Sequence, residues 1–265
     1  MSDHPSLTIV TGASSNHFPC LKNLLDSVSL FEPETRTVAY DLGLTAPEAA
    51  QLDAKNVVVR KFDYSRYPAY IDIRVDAGQY AWKPIIVADA LREFGGMVLW
   101  LDSGNLIHAP LARVRSALLE QGLYCPVSSG TVERWTHPTT LSGLGVASDM
   151  LARPQLNAAI VGLMAGRPGV DELAQRWKAC ALNRDCIAPP GSDRSNHRQD
   201  QAILTILIHQ FAEQYGCKLQ TERLDVSTHN DGLSPRKARG KTLPAPSLLA
   251  PLLTRLKRAW TAAAS

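Results

Sequence analysis

"GMVLWLDSGN", residues 96–105, decides the fold class. Met97 to Leu101 are apolar without interruption, as in a strand covered on both faces rather than one half exposed to water. The run stops at Asp102, where Ser-Gly-Asn supplies turn formers. A strand buried on both sides needs helices above and below it, and the surrounding sequence provides them. "LTIVTG" (7–12) is a β-rich run, and "FPCLKNLLDSVSLF" (18–31) then spaces Phe18, Leu21, Leu24, Leu25 and Val28 as a helix. "RTVAYDLGL" and "NVVVRKF" read as further strands around the short helix "APEAAQLDAK". A long polar and aromatic segment, 63–80, precedes the helix "AWKPIIVADALREFG". Loops of that length in compact domains usually carry function. Beyond residue 105 the pattern predicts a helix near 111–121, strands at "LYCPV" and "AAIVGL", and helices at "DELAQRWKACAL" and "DQAILTILIHQFAEQYG". The region 131–145 has no clear period. This α/β alternation predicts a single main domain with a mostly parallel central sheet and helices on both faces.

The composition narrows the function. The chain has 265 residues, 45% of them apolar, enough for a large core. With 28 basic and 25 acidic residues the net charge is +3, too balanced for a surface built to neutralise nucleic acid. Five cysteines without a C-x-x-C suggest neither a disulfide framework nor a zinc site, and are expected to be reduced and mostly buried. The opening residues "MSDHPSLTIV" lack a charged region followed by an apolar one, so the expected compartment is the cytoplasm.

The loop after the first strand, "TGASSNHF" (11–18), begins like the T-G-x-x-x-G-x-G phosphate loop of a short-chain dehydrogenase. Asn16 and Phe18 stand where that loop needs glycines, and no Y-x-x-x-K pair follows. A side chain at those positions would block the backbone's approach to a pyrophosphate. An NAD(P)-dependent Rossmann dehydrogenase is therefore a minor alternative.

In chain order, "TGASSNHF", "YDLGL", "YAWKP" and "LWLDSGN" resemble an uncharacterised glycosyltransferase-like family. "NAAIVG", "RQDQAIL" and "HNDG" are similar to segments of glycosyltransferase family eight. The likeness spans roughly residues 7–232. It implies a GT-A (Rossmann-like) catalytic domain over 1–232 that transfers a sugar from a nucleotide-sugar, a UDP-sugar, to a saccharide or other glycan acceptor. The competing class is a non-catalytic sugar-nucleotide-binding protein of the same fold.

The resemblance also implies roles for individual residues. Thr11, Gly12, Ala13, Ser14 and Asn16 would hold base and ribose, with Asp41 touching either. Lys83 would contact phosphate directly, with Arg66 and Arg74 as alternates, since cationic donors suit pyrophosphate oxygens. Trp82 and Tyr80 would wall the site. Asn157 and Gln201 would face the donor sugar, and Asp200 would orient it or serve in acid–base chemistry. Asp102 matches the first acid of the family's D-x-D turn, which binds Mn²⁺ or Mg²⁺, but Gly104 stands in place of the second. Ser103 and Asn105 could add neutral oxygens, and His229 matches a metal-binding histidine. A hard cation prefers several oxygen ligands, so one carboxylate holds it weakly. Each residue alone has a plainer reading: Asp102 as a turn, Lys83 as a solvated first-turn residue, Asp200 as a helix-start acid, His229 as an exposed loop histidine.

From about Asp231 the chain turns Pro-, Gly- and base-rich, and 233–265 reads as a linker followed by an amphipathic basic helix. Leu248, Leu249, Leu252, Leu253, Leu256 and Trp260 lie among Arg255, Lys257 and Arg258. Such a helix (247–260) suits peripheral contact with the inner face of an anionic membrane. It equally suits packing on the domain or on a second subunit.

Overall fold

The structure, a computed structural model, describes residues 5–53, 57–220 and 222–228. The predicted tail, 233–265, with the domain boundary near 232, and His229 lie outside the described residues.

The chain runs β1 (Leu7–Ala13), α1 (Phe18–Phe31), β2 (Arg36–Asp41), α2 (Ala46–Asp53) and β3 (Val58–Lys61). After an irregular segment come α3 (Trp82–Phe94), β4 (Met97–Leu101), β5 (Leu106–Ile107), α4 (Ala112–Gln121) and β6 (Leu123–Tyr124). Next are β7 (Val127–Thr131), α5 (Val132–Trp135), α6 (Pro138–Gly143), β8 (Pro154–Leu156) and β9 (Ile160–Met164). The described residues end with α7 (Val170–Ala181), α8 (Arg184–Ile187), α9 (Gln199–Tyr215) and β10 (Val226–Ser227).

Six strands form the central sheet in the order β3-β2-β1-β4-β9-β6. β3, β2, β1 and β4 are parallel, and β9 runs antiparallel to both its neighbours. The two-residue period of the strands divides the core. On β4, Val98 and Trp100 join β1's Val10 in the cluster with α3, α7 and α9. Met97, Leu99 and Leu101 join Leu7 and Ile9 in the cluster with α1 and α4. The expected mostly parallel sheet with both faces covered is therefore present. β1 is flanked by β2 on one side and β4 on the other, so the chain reverses its winding there. Open α/β sheets bind ligands beyond the carboxyl ends of the strands at such a switch point.

Two local expectations change. The aperiodic stretch 131–145 folds as α5 and α6 beside a separate β7–β8 ribbon. The cysteines are not all thiols: Cys180 and Cys186 are bonded, with Cα atoms 5.3 Å apart, joining α7 to α8. Their six-residue separation carried no recognisable motif; the close approach comes from the chain folding back after α7. Closing so short a loop removes chain entropy worth about 2 kcal/mol from the unfolded state. Reduction should lower the melting temperature by roughly 4–8 °C, as read by circular dichroism with and without reductant. Cys186→Ser should melt like the reduced protein and ignore the reductant; a reductant-sensitive variant would point to another thiol.

Candidate active site

A cleft of about 790 Å³ opens at the carboxyl ends of β1 and β4. One side is the β1 loop, Gly12 to His17, with Leu42 and Gly43 after β2. Gly12 packs closely there: a Cβ would sit 3.2 Å from Leu42 Cδ1 and 3.3 Å from the Tyr40 carbonyl oxygen, so the neighbours would have to give by a few tenths of an ångström. The floor is Asp102 to Asn105, and the far side is Asn157, Ala159 and Arg198 to Gln201.

The wall leading to α3 is strained. Asp76, Ala77, Gln79 and Tyr80 all have φ between 46° and 55°, with Gly78 at 62°. Left-handed backbone costs a non-glycine residue roughly 1–2 kcal/mol. Ala77 and Tyr80 line the cleft, so the strained turn forms part of its wall. Gln199, at φ 36°, makes a second such bend and presents Asp200 at the start of α9.

On the cleft floor lies an ionic triad in which the lysine and one acid are buried and the second acid is half-open to solvent. Lys83, on the first turn of α3, is 3% exposed. Its ammonium lies 3.0 Å from Asp102 Oδ1 and 3.0 Å from Asp200 Oδ2, and donates to the Ala158 carbonyl at 3.3 Å. The contact with Asp200 Oδ2 is close and ionic without the alignment of a hydrogen bond. Trp100 fixes the other acid, its Nε1 donating to Asp102 Oδ1 at 2.6 Å. Burial opposes the Lys83 charge, but Asp102 and Asp200 outweigh it and raise the pKa above the ordinary lysine value. Burial pushes the Asp200 carboxyl up to about 6, against the pull of Lys83 and with the help of Asp102. With both carboxylates ionised the triad carries one net negative charge.

Two asparagines frame this group. Asn105 donates to the Ala159 carbonyl at 2.6 Å, leaving its Oδ1 buried without a partner. Asn157 Oδ1 accepts from Ala159 N at 3.0 Å, leaving Nδ2 without one. Buried orphan polar atoms cost about 1–3 kcal/mol each, which a ligand hydroxyl at these positions would recover.

Of the residues expected at the site, Gly12, Ala13, Ser14, Asn16, Arg74, Trp82, Lys83, Asp102, Ser103, Asn105, Asn157, Asp200 and Gln201 line one cleft. Thr11, Asp41 and Arg66 are not among its lining residues. Thr11, on β1, is fully buried. Asp41 Oδ1 accepts from the Gly43 and Leu44 amides at 2.8 and 2.6 Å, shaping the turn that supports the β1 loop. Arg66 is exposed on the short 3-10 turn after β3. Arg74 reaches the cleft but pairs with Asp72 two residues earlier. Lys83, expected to contact phosphate, faces two carboxylates.

Arg194 and Arg198 also line the cleft and were missed. The basic spacing in "DRSNHRQD" was visible in the sequence, but nothing there tied it to Asp102. Of the expected cation ligands, Asp102 lies among the described residues and His229 does not. No group of three histidine, cysteine or acidic side chains among the described residues converges. Asp102 Oδ1 is engaged by Trp100 and Lys83, and Gly104 brings no ligand.

A family with the description "Protein of unknown function (DUF1647)" matches residues 1–88, from β1 into α3. No curated protein matches the chain. Among solved structures, the chain is similar to the galactosyltransferase LgtC in complex with donor and acceptor sugar analogues. That likeness has a TM-score of 0.51 and 18% identity and covers 95% of each chain. An active-site mutant of LgtC aligns with a TM-score of 0.50 and 17% identity, also over 95% of each chain. At this identity the likeness shows the fold, a GT-A architecture.

Proposed function

We propose that this GT-A chain is a glycosyltransferase that takes a sugar from a nucleotide-sugar, a UDP-sugar, and passes it to a saccharide or other glycan acceptor. The observation that carries the reading is the triad of Asp102, Lys83 and Asp200 on the floor of the cleft at the sheet's switch point. The solved neighbour of the same fold holds donor and acceptor sugar analogues. Base and ribose would lie against the β1 loop, near Gly43 and Leu42. The donor sugar would lie over the triad, its hydroxyls meeting the unpaired Asn105 and Asn157 atoms and the Gln201 amide.

The net negative charge of the triad suits this chemistry. As the bond to the nucleotide breaks, the sugar carbon gains positive character, as in other glycosyl transfers. Fixed carboxylates aimed at that carbon stabilise the developing charge without reorganising. Asp102 and Asp200 are assigned this role.

The test is a thermal-shift panel of UDP, UDP-glucose, UDP-galactose, NADH and NADPH. A ligand present at a hundred times its Kd adds about 2.7 kcal/mol of stability, a shift of roughly 5–10 °C. Shifts with the uridine nucleotides and none with the nicotinamides are expected. The reverse pattern would restore the dehydrogenase reading. UDP-sugar binding without hydrolysis or transfer in any acceptor screen would favour the non-catalytic binding protein.

A further inference from the structure

We infer that the donor diphosphate is gripped by Arg194 and Arg198, and that this grip needs no divalent cation. The inference rests on the nucleotide-sugar reading and adds to it which residues carry the phosphate charge.

Among the described residues, four cationic side chains line the cleft: Arg74, Lys83, Arg194 and Arg198. Lys83 faces two carboxylates, and Arg74 is held by Asp72. Arg194 and Arg198 have no carboxylate partner among the described residues. Each lies instead against an aromatic ring: Arg194 is 5.7 Å from the centre of Tyr80, and Arg198 is 4.1 Å from that of Trp135. Stacking on a ring orients a guanidinium and leaves its N–H edge available for two parallel bonds to an anion. Phosphate oxygens match that fork.

The loop that carries them is pinned. Arg198 N donates to the Trp135 carbonyl at 3.0 Å, and Arg134 holds the Ser195 carbonyl at 2.8 Å. Between them His197 is fully buried, with its Nε2 3.0 Å from the Ile187 carbonyl and its Nδ1 accepting from His137 N. Arg198 leads through Gln199 into Asp200, so the arginines approach the triad from the side opposite the β1 loop. A diphosphate between nucleoside and sugar would pass between these two walls. Two guanidinium groups there would supply the positive charge that a D-x-D turn supplies through its cation, which Gly104 removes from this chain.

The experiment is calorimetry on the full chain with UDP and with uridine, in EDTA and in millimolar Mn²⁺, with GDP and guanosine in parallel. Wild type should bind UDP with the same Kd in both buffers. Arg194→Gln and Arg198→Gln should each weaken UDP roughly ten-fold, leave uridine unchanged, and melt within a few degrees of wild type. Arg198→Lys should regain part of the loss because it restores the charge. UDP binding that vanishes in EDTA and returns with Mn²⁺ would overturn the inference, as would arginine variants with unchanged UDP affinity or with equal losses for UDP and uridine. A wild-type protein that binds none of the nucleotides or nucleosides would instead overturn the nucleotide-sugar reading beneath it.

Discussion

Lys83→Met should lower the melting temperature by on the order of 10 °C at pH 8, with much of the loss recovered at pH 5. Lys83 is buried with its ammonium 3.0 Å from each of two carboxylates, and Asp200 is itself only 4% exposed. Removing one member of a buried ionic group leaves an uncompensated charge, at a cost of about 3–5 kcal/mol. The pH dependence follows from Asp200. Its folded pKa, about 6, lies above the ordinary carboxylate value. The folded protein therefore holds that proton more tightly than the unfolded chain does. Stability from this group is fully present below about pH 4 and is lost as pH rises through 6. Without Lys83 the attraction that keeps this pKa down is gone, so the window of loss extends above 6 and the gap from wild type widens toward pH 8. The stability from the raised pKa of Lys83 is fully present across this range and is lost only at alkaline pH. Melting curves at pH 5 and 8 decide the matter: equal stability of variant and wild type at pH 8 would show that the triad does not support the fold.

Asp102→Ala should instead spare the fold and remove activity. Its side chain is 38% exposed, and an ion pair this open to solvent contributes at most about 1 kcal/mol. The same carboxylate is aimed into the cleft by Trp100 Nε1 at 2.6 Å and by Lys83. Loss of one preorganised electrostatic group typically costs on the order of 10²–10³-fold in turnover. Asp102→Asn keeps an oxygen for the Trp100 hydrogen bond but not the charge, and should fall between the alanine variant and wild type. Initial rates of UDP-sugar hydrolysis without acceptor would measure both. Rates within two-fold of wild type would reduce Asp102 to a turn residue.

Much of the fold was legible because it rests on short-range pattern. The apolar run at 97–101 and the helical spacing of residues 18–31 each report how a segment is covered. Alternating such segments leaves few sheet orders open. The site was partly legible through resemblance rather than period: the likeness of "LWLDSGN", "NAAIVG" and "RQDQAIL" to glycosyltransferase segments pointed to Asp102, Asn157, Asp200 and Gln201, which line one cleft. No pattern marked the left-handed turn at 76–80, since only Gly78 among its residues favours that backbone. Its conformation is held by tertiary contact: a Cβ on Gly78 would lie 2.3 Å from the Ile71 carbonyl.

The sequence by itself determined the α/β alternation, the covered central strand and the acids that end up beside the cleft. Tertiary structure alone decided what those charges do. It buried Lys83 between residues 19 and 117 positions away, freed Arg194 and Arg198 to face the cleft, and brought Cys180 to Cys186. The physical reason is range. Helix and strand periods are set by neighbours along the chain, whereas the charge state and availability of a side chain depend on which distant groups share its low-dielectric surroundings.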